Sequence, residues 1–213
     1  MKSNTLIICE STDNGTDKKL IEVFLKKLTI APDRYIINPK GSVVEVIKFL
    51  KNLHQLREIT TGQCEQVLVV VDADEDPNNR FREICEAFNR VKFELPESIG
   101  CEITRSTGKV KVGIYLFPDN QDPGSLETLC LSGLIGTECD QKIQCINEYL
   151  GCLRTKSIDQ NMTINNQSKS KFRIFHATPD PDSYVSTITE CIDPNSAAFA
   201  KLKSFFSQCF KSQ

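Results

Sequence analysis

Two aspartates follow the most hydrophobic run of the sequence, at a spacing that suits metal binding. Asp72 and Asp74 come directly after Val67–Val71, so in an extended backbone both side chains point to the same face. Carboxylates crowded together repel each other unless a cation lies between them. Mg²⁺ binds one or two carboxylates together with water and substrate phosphate. The pair therefore predicts a magnesium site, whereas the structural alternative is a solvated turn.

Glu10 occupies a similar position after another hydrophobic run, Thr5–Cys9, and Asp13 follows shortly afterwards. If the two runs form neighbouring strands, Glu10 faces the aspartate pair across the end of the sheet. A second metal ion about 3.5–4 Å from the first would then activate a water molecule and stabilise the leaving oxygen in phosphodiester cleavage. Considered alone, Glu10 is better explained as an exposed carboxylate at the end of a strand.

The same acidic segment also has the carboxylate spacing of a calcium-binding EF-hand loop. Asp72, Asp74, Asp76 and Glu83 stand at the ligand positions of such a loop. However, Pro77 replaces the glycine that makes the sharp turn, and proline cannot adopt that conformation. A strand also precedes the loop where a helix belongs. The sequence therefore disfavours an EF-hand.

Strand-like and helix-like patterns alternate along the chain. Strands are predicted at 5–9, 34–37, 67–71, 109–117 and 172–177, and helices at 17–28, 42–56, 79–91, 125–134, 140–153 and 196–210. This alternation predicts βαβ units, and a continuous apolar run such as 67–71 indicates a strand covered on both faces. We therefore expect an α/β fold with a mostly parallel central sheet flanked by helices. Ligands in such folds bind at the carboxyl ends of the strands.

The length of the chain favours one domain. Its 213 residues, 39% hydrophobic and 25% charged, have an ordinary globular composition. We expect a single domain over 1–213, with a core at about 1–136 and a C-terminal extension of helices and a strand at about 137–213. Residues 155–170 are polar and are predicted to form a mobile connector.

Charge and targeting signals limit the possible partners and location. The net charge of −2 provides no global positive field for nucleic acid, although metal ions could supply positive charge locally in a nuclease. No apolar run approaches the ~20 residues of a membrane span, and the N-terminus does not resemble a secretory signal. A cytoplasmic protein without a membrane partner is expected.

Several common active-site motifs are missing from the sequence. The ten cysteines form no C-x-x-C pair, which favours reduced, buried thiols over a zinc or redox site. No P-loop motif occurs, so the chain has no such means of binding nucleotides. The two histidines, His54 and His176, do not lie near a candidate nucleophile, which makes Ser-His-Asp or Cys-His chemistry unlikely on sequence grounds.

Three blocks in this order resemble the Toprim family, which includes type IA and II topoisomerases, bacterial primases and the overcoming-lysogenization-defect (OLD) nucleases. They are the first strand ending in Glu10, the Val-rich strand ending in Asp72-x-Asp74, and the strand running into Pro118-Asp119-Asn120. The chain looks like one of a group of small stand-alone Toprim-like proteins of unknown function. The resemblance covers nearly the whole chain, including a Lys-x-basic strand expected near residue 170.

The resemblance implies a Toprim-like Rossmannoid fold and assigns roles to the acidic residues. Asp72 and Asp74 would bind Mg²⁺ or Mn²⁺, and Glu10 would be a ligand or general acid/base. Ser125-Leu126-Glu127 looks like the Ser-x-Glu element that completes a two-metal site in OLD nucleases.

Other positions correspond less directly to the family pattern. OLD nucleases carry a further acid four residues after the first Glu, whereas this chain has Asn14 there and Asp13 as the nearest substitute. Their late lysine, which acts on the transition state, corresponds best to Lys169 and next to Lys171, although either could lie on a solvated strand face. Asp119 could be a ligand or could cap its own loop.

These observations lead to three functional hypotheses. The first is a Mg²⁺- or Mn²⁺-dependent nuclease acting on DNA or RNA, including tRNA, in an antiviral or stress system with an ABC-type ATPase as partner. The second is a non-catalytic Toprim-like binding module in an assembly with an ATPase. The third is a phosphotransferase or phosphatase in which Asp72 is the nucleophile and Asp74 the acid.

Overall fold

The computed structural model describes residues 4–100, 109–137, 139–156, 164–177 and 193–211. The strands are β1 (Thr5–Cys9), β2 (Tyr35–Pro39), β3 (Gln66–Asp72), β4 (Phe93–Glu94) and β5 (Val110–Phe117). The α-helices are α1 (Thr16–Lys27), α2 (Val43–Asn52), α3 (Arg57–Thr60), α4 (Pro77–Ala87), α5 (Leu126–Gly133), α6 (Asp140–Thr155), α7 (Ile164–Ala177) and α8 (Ala200–Lys211). Short 3₁₀ turns lie at Pro32–Arg34, Leu53–Gln55 and Ala197–Phe199.

The five strands form one sheet in the order β2-β1-β3-β5-β4, and every neighbouring pair is parallel. The α/β architecture with a parallel sheet flanked by helices, expected from the sequence, is therefore confirmed. All five strands end at the same edge of the sheet. Since β1 and β5 both neighbour β3, the loops that follow these three strands lie side by side at that edge.

The central strand β3 is buried along its whole length. Leu68 and Val70 pack into the hydrophobic cluster on one face of the sheet, and Val67, Val69 and Val71 pack into the cluster on the other face. Successive side chains of a strand point to opposite faces, so an unbroken apolar run fits a strand covered on both sides. The sequence prediction for this strand is confirmed.

Different helices cover the two faces. Buried residues of α1, α5, α7 and α8 belong to the first cluster, represented by Phe24, Leu129 and Phe206. Buried residues of α2, α3 and α4 belong to the second cluster, represented by Leu50 and Ile84. The phenylalanines of the last helix thus pack inward, as their helical spacing indicates. In the part of the chain that the structure describes, none of the helices combines the length and apolarity needed to cross a membrane.

The strand predicted at 172–177, including the Lys-x-basic strand expected near residue 170, was wrong. These residues lie in helix α7, which begins at Ile164, so the polar connector predicted at 155–170 is also helical in its last part. Among the side chains of this helix that the structure describes, Ser168, Phe172, Phe175 and His176 are buried, a spacing that places them on one helical face. The aromatic run was mistaken for a strand because its polar upstream half conceals this periodicity. Residues 157–163 lie outside the described ranges.

Smaller differences concern the ends of elements. The helix predicted at 42–56 ends at Asn52 and is followed by a 3₁₀ turn and α3, and the helix predicted at 79–91 runs from Pro77 to Ala87. Strand β4 was not predicted, because two residues are too few to show alternation. Eight cysteines lie in the described ranges; all are free thiols, and Cys9, Cys64, Cys85, Cys130 and Cys209 are buried.

Candidate active site

A hydrogen bond between the side chain that follows β1 and a backbone amide of β3 joins the ends of these two strands. The register pairs Cys9 with Val70, which brings the next residue, Glu10, level with the last residues of β3. The Glu10 Oε1 atom accepts a hydrogen bond from the Asp72 N–H, with an N···O distance of 3.0 Å. Glu10 and Asp72 therefore lie together, as the sequence analysis expected if their strands were neighbours.

Asp72 is the most enclosed carboxylate of the site, with 9% of its side chain exposed. Its Oδ1 atom accepts a hydrogen bond of 2.9 Å from the N–H of Leu126, the first residue of α5. Its Oδ2 atom lies 3.2 Å from the Lys169 ammonium of α7. A helix N-terminus and an ammonium both stabilise a negative charge. The three elements β3, α5 and α7 thus converge on this one side chain.

Asp74 has a different environment from Asp72. Its φ of 55° is in the left-handed region, and its backbone exchanges hydrogen bonds of 2.9 and 2.7 Å with Gly124. Strand β3 ends at Asp72, so the extended backbone from which a shared face was predicted does not continue to Asp74. The two loops after β3 and β5 are instead tied together at this point.

Arg80 of helix α4 is a site residue that the sequence analysis missed. Its Nη2 atom donates a hydrogen bond to Asp74 Oδ2, and its Nη1 atom donates to Glu83 Oε2 at 2.7 Å. Only 15% of the arginine side chain is exposed, against 33% for Asp74. The available signal was its place in the first turns of the helix that follows Asp72-x-Asp74.

Glu127 lies in the first turn of α5, close to its serine partner. The Ser125 hydroxyl, which is fully buried, donates a hydrogen bond of 2.8 Å to Glu127 Oε2. The Ser125 N–H in turn donates to the Thr128 hydroxyl at 3.2 Å. The Ser-x-Glu element proposed from the sequence is therefore internally hydrogen-bonded beside Leu126, whose N–H binds Asp72.

Three carboxyl groups at this edge of the sheet have pKa values above their ordinary range. Burial, together with the charges of Asp72 and Asp74, raises the pKa of Glu10 to about 8. Burial and the charges of Asp72 and Glu127 raise the pKa of Asp17 to about 7. Burial also raises the pKa of Asp72 to about 6, although Lys169 and the Leu126 N–H oppose this shift. These carboxyl groups form a site with excess negative charge.

Asp17 was not among the predicted site residues. It lies in the first turn of α1, the helix that directly follows the loop after Glu10. Its pKa depends on the charges of Asp72, Glu127 and Lys169, so it belongs to the same electrostatic group. An acid at the start of a helix usually serves the helix dipole alone, which is why its position in the sequence did not distinguish it.

Lys169, the lysine favoured by the sequence, provides the ammonium that contacts Asp72. Burial alone would lower its pKa, but the Asp72 and Glu127 carboxylates raise the pKa of Lys169 overall. The ammonium is therefore charged at neutral pH. Lys169 was expected on a strand, which was wrong, because it lies on helix α7.

Asp13 and Asp119 each contact partners outside the group formed by Glu10, Asp17, Asp72 and Glu127. Asp13 is 87% exposed and lies 3.8 Å from the Lys18 ammonium. The Asp119 Oδ1 atom accepts hydrogen bonds from the N–H groups of Gln121 and Asp122, and its Oδ2 atom lies 2.7 Å from Lys201. Burial would raise the pKa of Asp119, but these donors lower it overall. Asp119 thus caps its own loop.

The EF-hand spacing noted in the sequence corresponds to another structure. The Asp76 Oδ1 atom accepts hydrogen bonds of 2.9 and 3.0 Å from the N–H groups of Asn78 and Asn79, so Asp76 caps helix α4. Glu83 lies within α4 and contacts Arg80. The four carboxylates spaced like calcium ligands are therefore divided between a strand end, the loop that follows it, a helix cap and a helix.

The carboxylates suit Mg²⁺ or Mn²⁺ in chemistry and charge, since these ions take oxygen ligands and the site carries excess negative charge. The positions of these described carboxylates, however, are not those of a metal site. Within the described ranges, no group of three or more His, Cys, Asp or Glu side chains is placed to hold a metal ion. Asp72 and Asp74 are instead paired with Lys169 and Arg80 respectively.

Comparison with known proteins identifies a family and no characterised relative. No curated protein and no solved structure matches the chain. The family described as "Protein of unknown function (DUF3226)" matches residues 5–211. This match extends from the start of β1 to the end of α8 and so includes every side chain of the candidate site. The chain belongs to the DUF3226 family.

Proposed function

We propose that this protein is a metal-dependent nuclease of the Toprim type that hydrolyses phosphodiester bonds in DNA or RNA. The observation that carries the proposal is the environment of Asp72. This buried carboxylate lies beside Glu10 at the ends of adjacent parallel strands, with Lys169 against it. Acids with raised pKa values that are grouped with a fixed cation at the carboxyl edge of a parallel sheet are typical of active sites.

Asp72 and Asp74 would hold Mg²⁺ or Mn²⁺, and Glu10 and Glu127 would provide further oxygen ligands. When bound, such an ion polarises a phosphoryl oxygen and lowers the pKa of a water molecule. Asp17 adds negative charge beside these residues, which favours cation binding. Asp13, which was also expected to bind metal, lies in the exposed loop after β1 and is not needed for this set of ligands.

Glu10 suits the proton transfers that phosphodiester hydrolysis requires. With a pKa of about 8, its carboxyl group carries a proton at neutral pH and can lose it when a cation binds nearby. A general acid or base is most effective when its pKa is close to the working pH. Its hydrogen bond to the Asp72 amide holds the group in place.

Lys169 would stabilise the negative charge that develops on the phosphoryl group. Its ammonium is already held against Asp72, and 32% of the lysine side chain is exposed, so part of the side chain is accessible to a substrate. Fixed positive charge near the reacting atoms lowers the energy of such transition states. Lys169 therefore serves as the counterion of Asp72 and as a contact for the substrate phosphate.

The biological setting is proposed by analogy with the OLD nucleases. We place the protein in an antiviral or stress system with an ABC-type ATPase as partner, because the chain has no P-loop of its own. The substrate class includes tRNA as well as DNA. The chain has a net charge of −2, so we expect the partner or bound metal to provide much of the affinity for nucleic acid.

The direct test is cleavage of supercoiled plasmid and of total tRNA by the purified full chain. Each substrate is incubated with Mg²⁺, with Mn²⁺ and with EDTA. The Asp72→Asn, Asp74→Asn double variant should lose metal-dependent cleavage, and the matched variant Asp119→Asn should retain it because that aspartate caps a loop. Equal cleavage by wild type and the double variant would indicate a contaminating nuclease and overturn the proposal.

The second candidate is a non-catalytic binding module within an ATPase assembly. It is favoured by one observation, which is that no three described His, Cys, Asp or Glu side chains are placed as metal ligands. On this account the ion pairs of Asp72 and Asp74 are purely structural. Absence of both Mn²⁺ binding in calorimetry and cleavage would select this candidate over the nuclease.

A further inference from the structure

Strand β2 lies at one end of the sheet, and within the described residues its single strand neighbour is β1. The Lys40 N–H donates a hydrogen bond of 2.9 Å to the Cys9 carbonyl. Backbone groups alternate between the two sides of a strand, so the even-numbered residues of β2 bond to β1. The N–H and C=O groups of Tyr35 and Ile37 therefore point to the outer edge. An edge of this kind is a template for another strand.

The side chains along this edge are mainly apolar. Ile36 is 54% exposed although it lies within a strand, and together with Phe49 it lines a mainly apolar cavity of about 280 Å³. Tyr35 and Ile37 pack against the hydrophobic cluster on the other face of the sheet. Edge strands are commonly protected by charges or by proline. Here Pro39 occupies only the last position of β2, which leaves the first three residues available for pairing.

We propose that β2 pairs with β2 of a second copy of this chain, antiparallel and centred on Ile36, so that the two sheets join into one. The two-fold axis then passes between the two Ile36 residues. Tyr35 of each copy lies opposite Ile37 of the other, and each of these pairs exchanges both of its N–H···O=C bonds. The interface needs no N–H from Pro39, which has none to donate.

A second copy is the partner because the edge is complementary to itself. In this register, Ile36 meets Ile36 of the second copy as a pair without direct hydrogen bonds, the closest kind in an antiparallel ladder, with about 4.5 Å between Cα atoms. Tyr35 opposite Ile37 is an aromatic and β-branched pair, which stabilises sheets. Interfaces in which the same patch of both subunits is used are the commonest kind in homodimers.

The charges at the two ends of β2 favour the same register. The exposed Asp33 precedes β2, and Lys40 follows it. With Ile36 opposite Ile36, Asp33 of one copy comes next to Lys40 of the other at both ends of the interface. Shifting the pairing by two residues would instead bring Arg34 opposite Lys40 and Ile36 opposite Asn38. Like charges directly opposite each other destabilise a strand pair. The inference does not depend on the proposed nuclease function.

Sedimentation equilibrium of the full chain, from micromolar to sub-millimolar concentrations, tests the interface. Wild type should approach twice its monomer mass of 24.0 kDa. Ile36→Lys places two ammonium groups opposite each other, so it should weaken dimerisation by about tenfold or more. Val91→Lys is the matched control and should dimerise normally, because Val91 is 77% exposed beside β4 at the other end of the sheet. A monomeric wild type, or a folded Ile36→Lys that dimerises as well as wild type, overturns the inference.

Ile36→Cys tests the register directly. Two cysteines opposed at position 36 lie within the Cα separation of a disulfide. Oxidised glutathione should therefore join them into a covalent dimer, in which two thiols form one disulfide while the glutathione disulfide is reduced to two thiols. Asn38→Cys is the matched control, since position 38 would lie opposite Arg34. Wild type gives the background, because its Cys145 and Cys152 are exposed.

The two cysteine variants also decide the question if Ile36→Lys does not fold. Covalent dimer from Ile36→Cys, above the level of wild type and of Asn38→Cys, supports the inference. Covalent dimer from Ile36→Cys at only the wild-type level overturns it, as does equal or stronger cross-linking of Asn38→Cys.

Discussion

The Glu10 carboxylate accepts a hydrogen bond from the backbone amide of Asp72 at 3.0 Å, so the acid at the end of β1 is held by a neutral donor and not by a cation. A neutral donor compensates only part of the cost of burying a charge. Burial and the neighbouring aspartates accordingly raise the pKa of Glu10 to about 8. This relationship makes the stability of the metal-free protein depend on pH.

Glu10→Gln should stabilise the protein at pH 8 in EDTA by about 1–2 kcal/mol. The pKa of Glu10 is raised from 4.5 to about 8 in the folded state, so the unfolded chain loses its proton first as pH rises. The free energy of unfolding should therefore fall between these pH values in wild type. The glutamine keeps the Oε1 acceptor and removes this fall.

Urea unfolding of both proteins at intervals from pH 4.5 to 8 measures the effect. Glu22→Gln is the matched control, since Glu22 is exposed on helix α1. Parallel pH profiles for wild type and Glu10→Gln would show that Glu10 has an ordinary pKa.

Lys169→Met should destabilise the protein by about 1–3 kcal/mol at pH 7, because it leaves the buried Asp72 carboxylate without its cation. The loss should shrink toward pH 5, where Asp72, whose pKa is about 6, takes up a proton. Lys171→Met on the same helix is the control and should change stability little. A loss of equal size at both pH values would contradict an electrostatic origin.

Gly124→Ala should disturb the loop that holds Asp74. Gly124 has a φ of 147°, and an added Cβ would lie 2.8 Å from the Thr128 hydroxyl and 3.2 Å from Pro118. A cost of about 1–3 kcal/mol is expected from strain in this conformation. The matched control is Gly151→Ala in helix α6, where an added Cβ has no neighbour within 4 Å and alanine should stabilise the helix. Thermal unfolding that ranks the two variants in the opposite order would refute the prediction.

His176 should make the protein less stable in acid. It is 1% exposed and packs against the rings of Phe172 and Phe175. Burial, assisted by the charge of Lys142, lowers the pKa of His176 to about 4. Because the unfolded histidine takes up a proton at higher pH than the folded one, stability falls as pH decreases from 6.5 to 4, by up to about 3 kcal/mol from this residue.

His176→Leu tests this origin of the acid sensitivity. The substitution should reduce the decline between pH 6.5 and 4, as followed by circular dichroism during urea unfolding. His54→Leu is the control histidine variant, because His54 lies in the turn after α2 on the other side of the sheet from α7. If both variants keep the full decline, the titration of His176 is not responsible.

The sequence predicted the sheet because its strongest signal has a direct physical cause. Five apolar residues in succession have to be covered on both faces, and Val67–Val71 is covered in this way. Parallel order then follows from the alternation of strands with helices. The hydrophobic pattern did not predict helix α7. The first half of this helix is polar, so the spacing of its buried face is visible only in the second half.

The acidic residues at strand ends could likewise be selected from sequence, but their pairings could not. Asp72 and Asp74 have the same residue type and nearly the same position, yet one contacts α5 and α7 and the other contacts α4. The difference depends on the left-handed backbone at Asp74 and its bridge to Gly124. Contacts between residues far apart in the sequence, such as Lys169 and Asp72, produce no periodic pattern from which they could be predicted.

The burial of β3 also determines how the candidate site can move. Its amides are bonded to a strand on either side, and its side chains are enclosed by helices on both faces. Such amides exchange with solvent deuterium only when the whole domain opens. The amides of Val67 to Val70, which lie between β1 and β5, are therefore expected to be among the slowest to exchange. Adjustment of the site to a ligand is consequently expected in α4, α5 and α7, which contact Asp74 or Asp72 from outside the sheet.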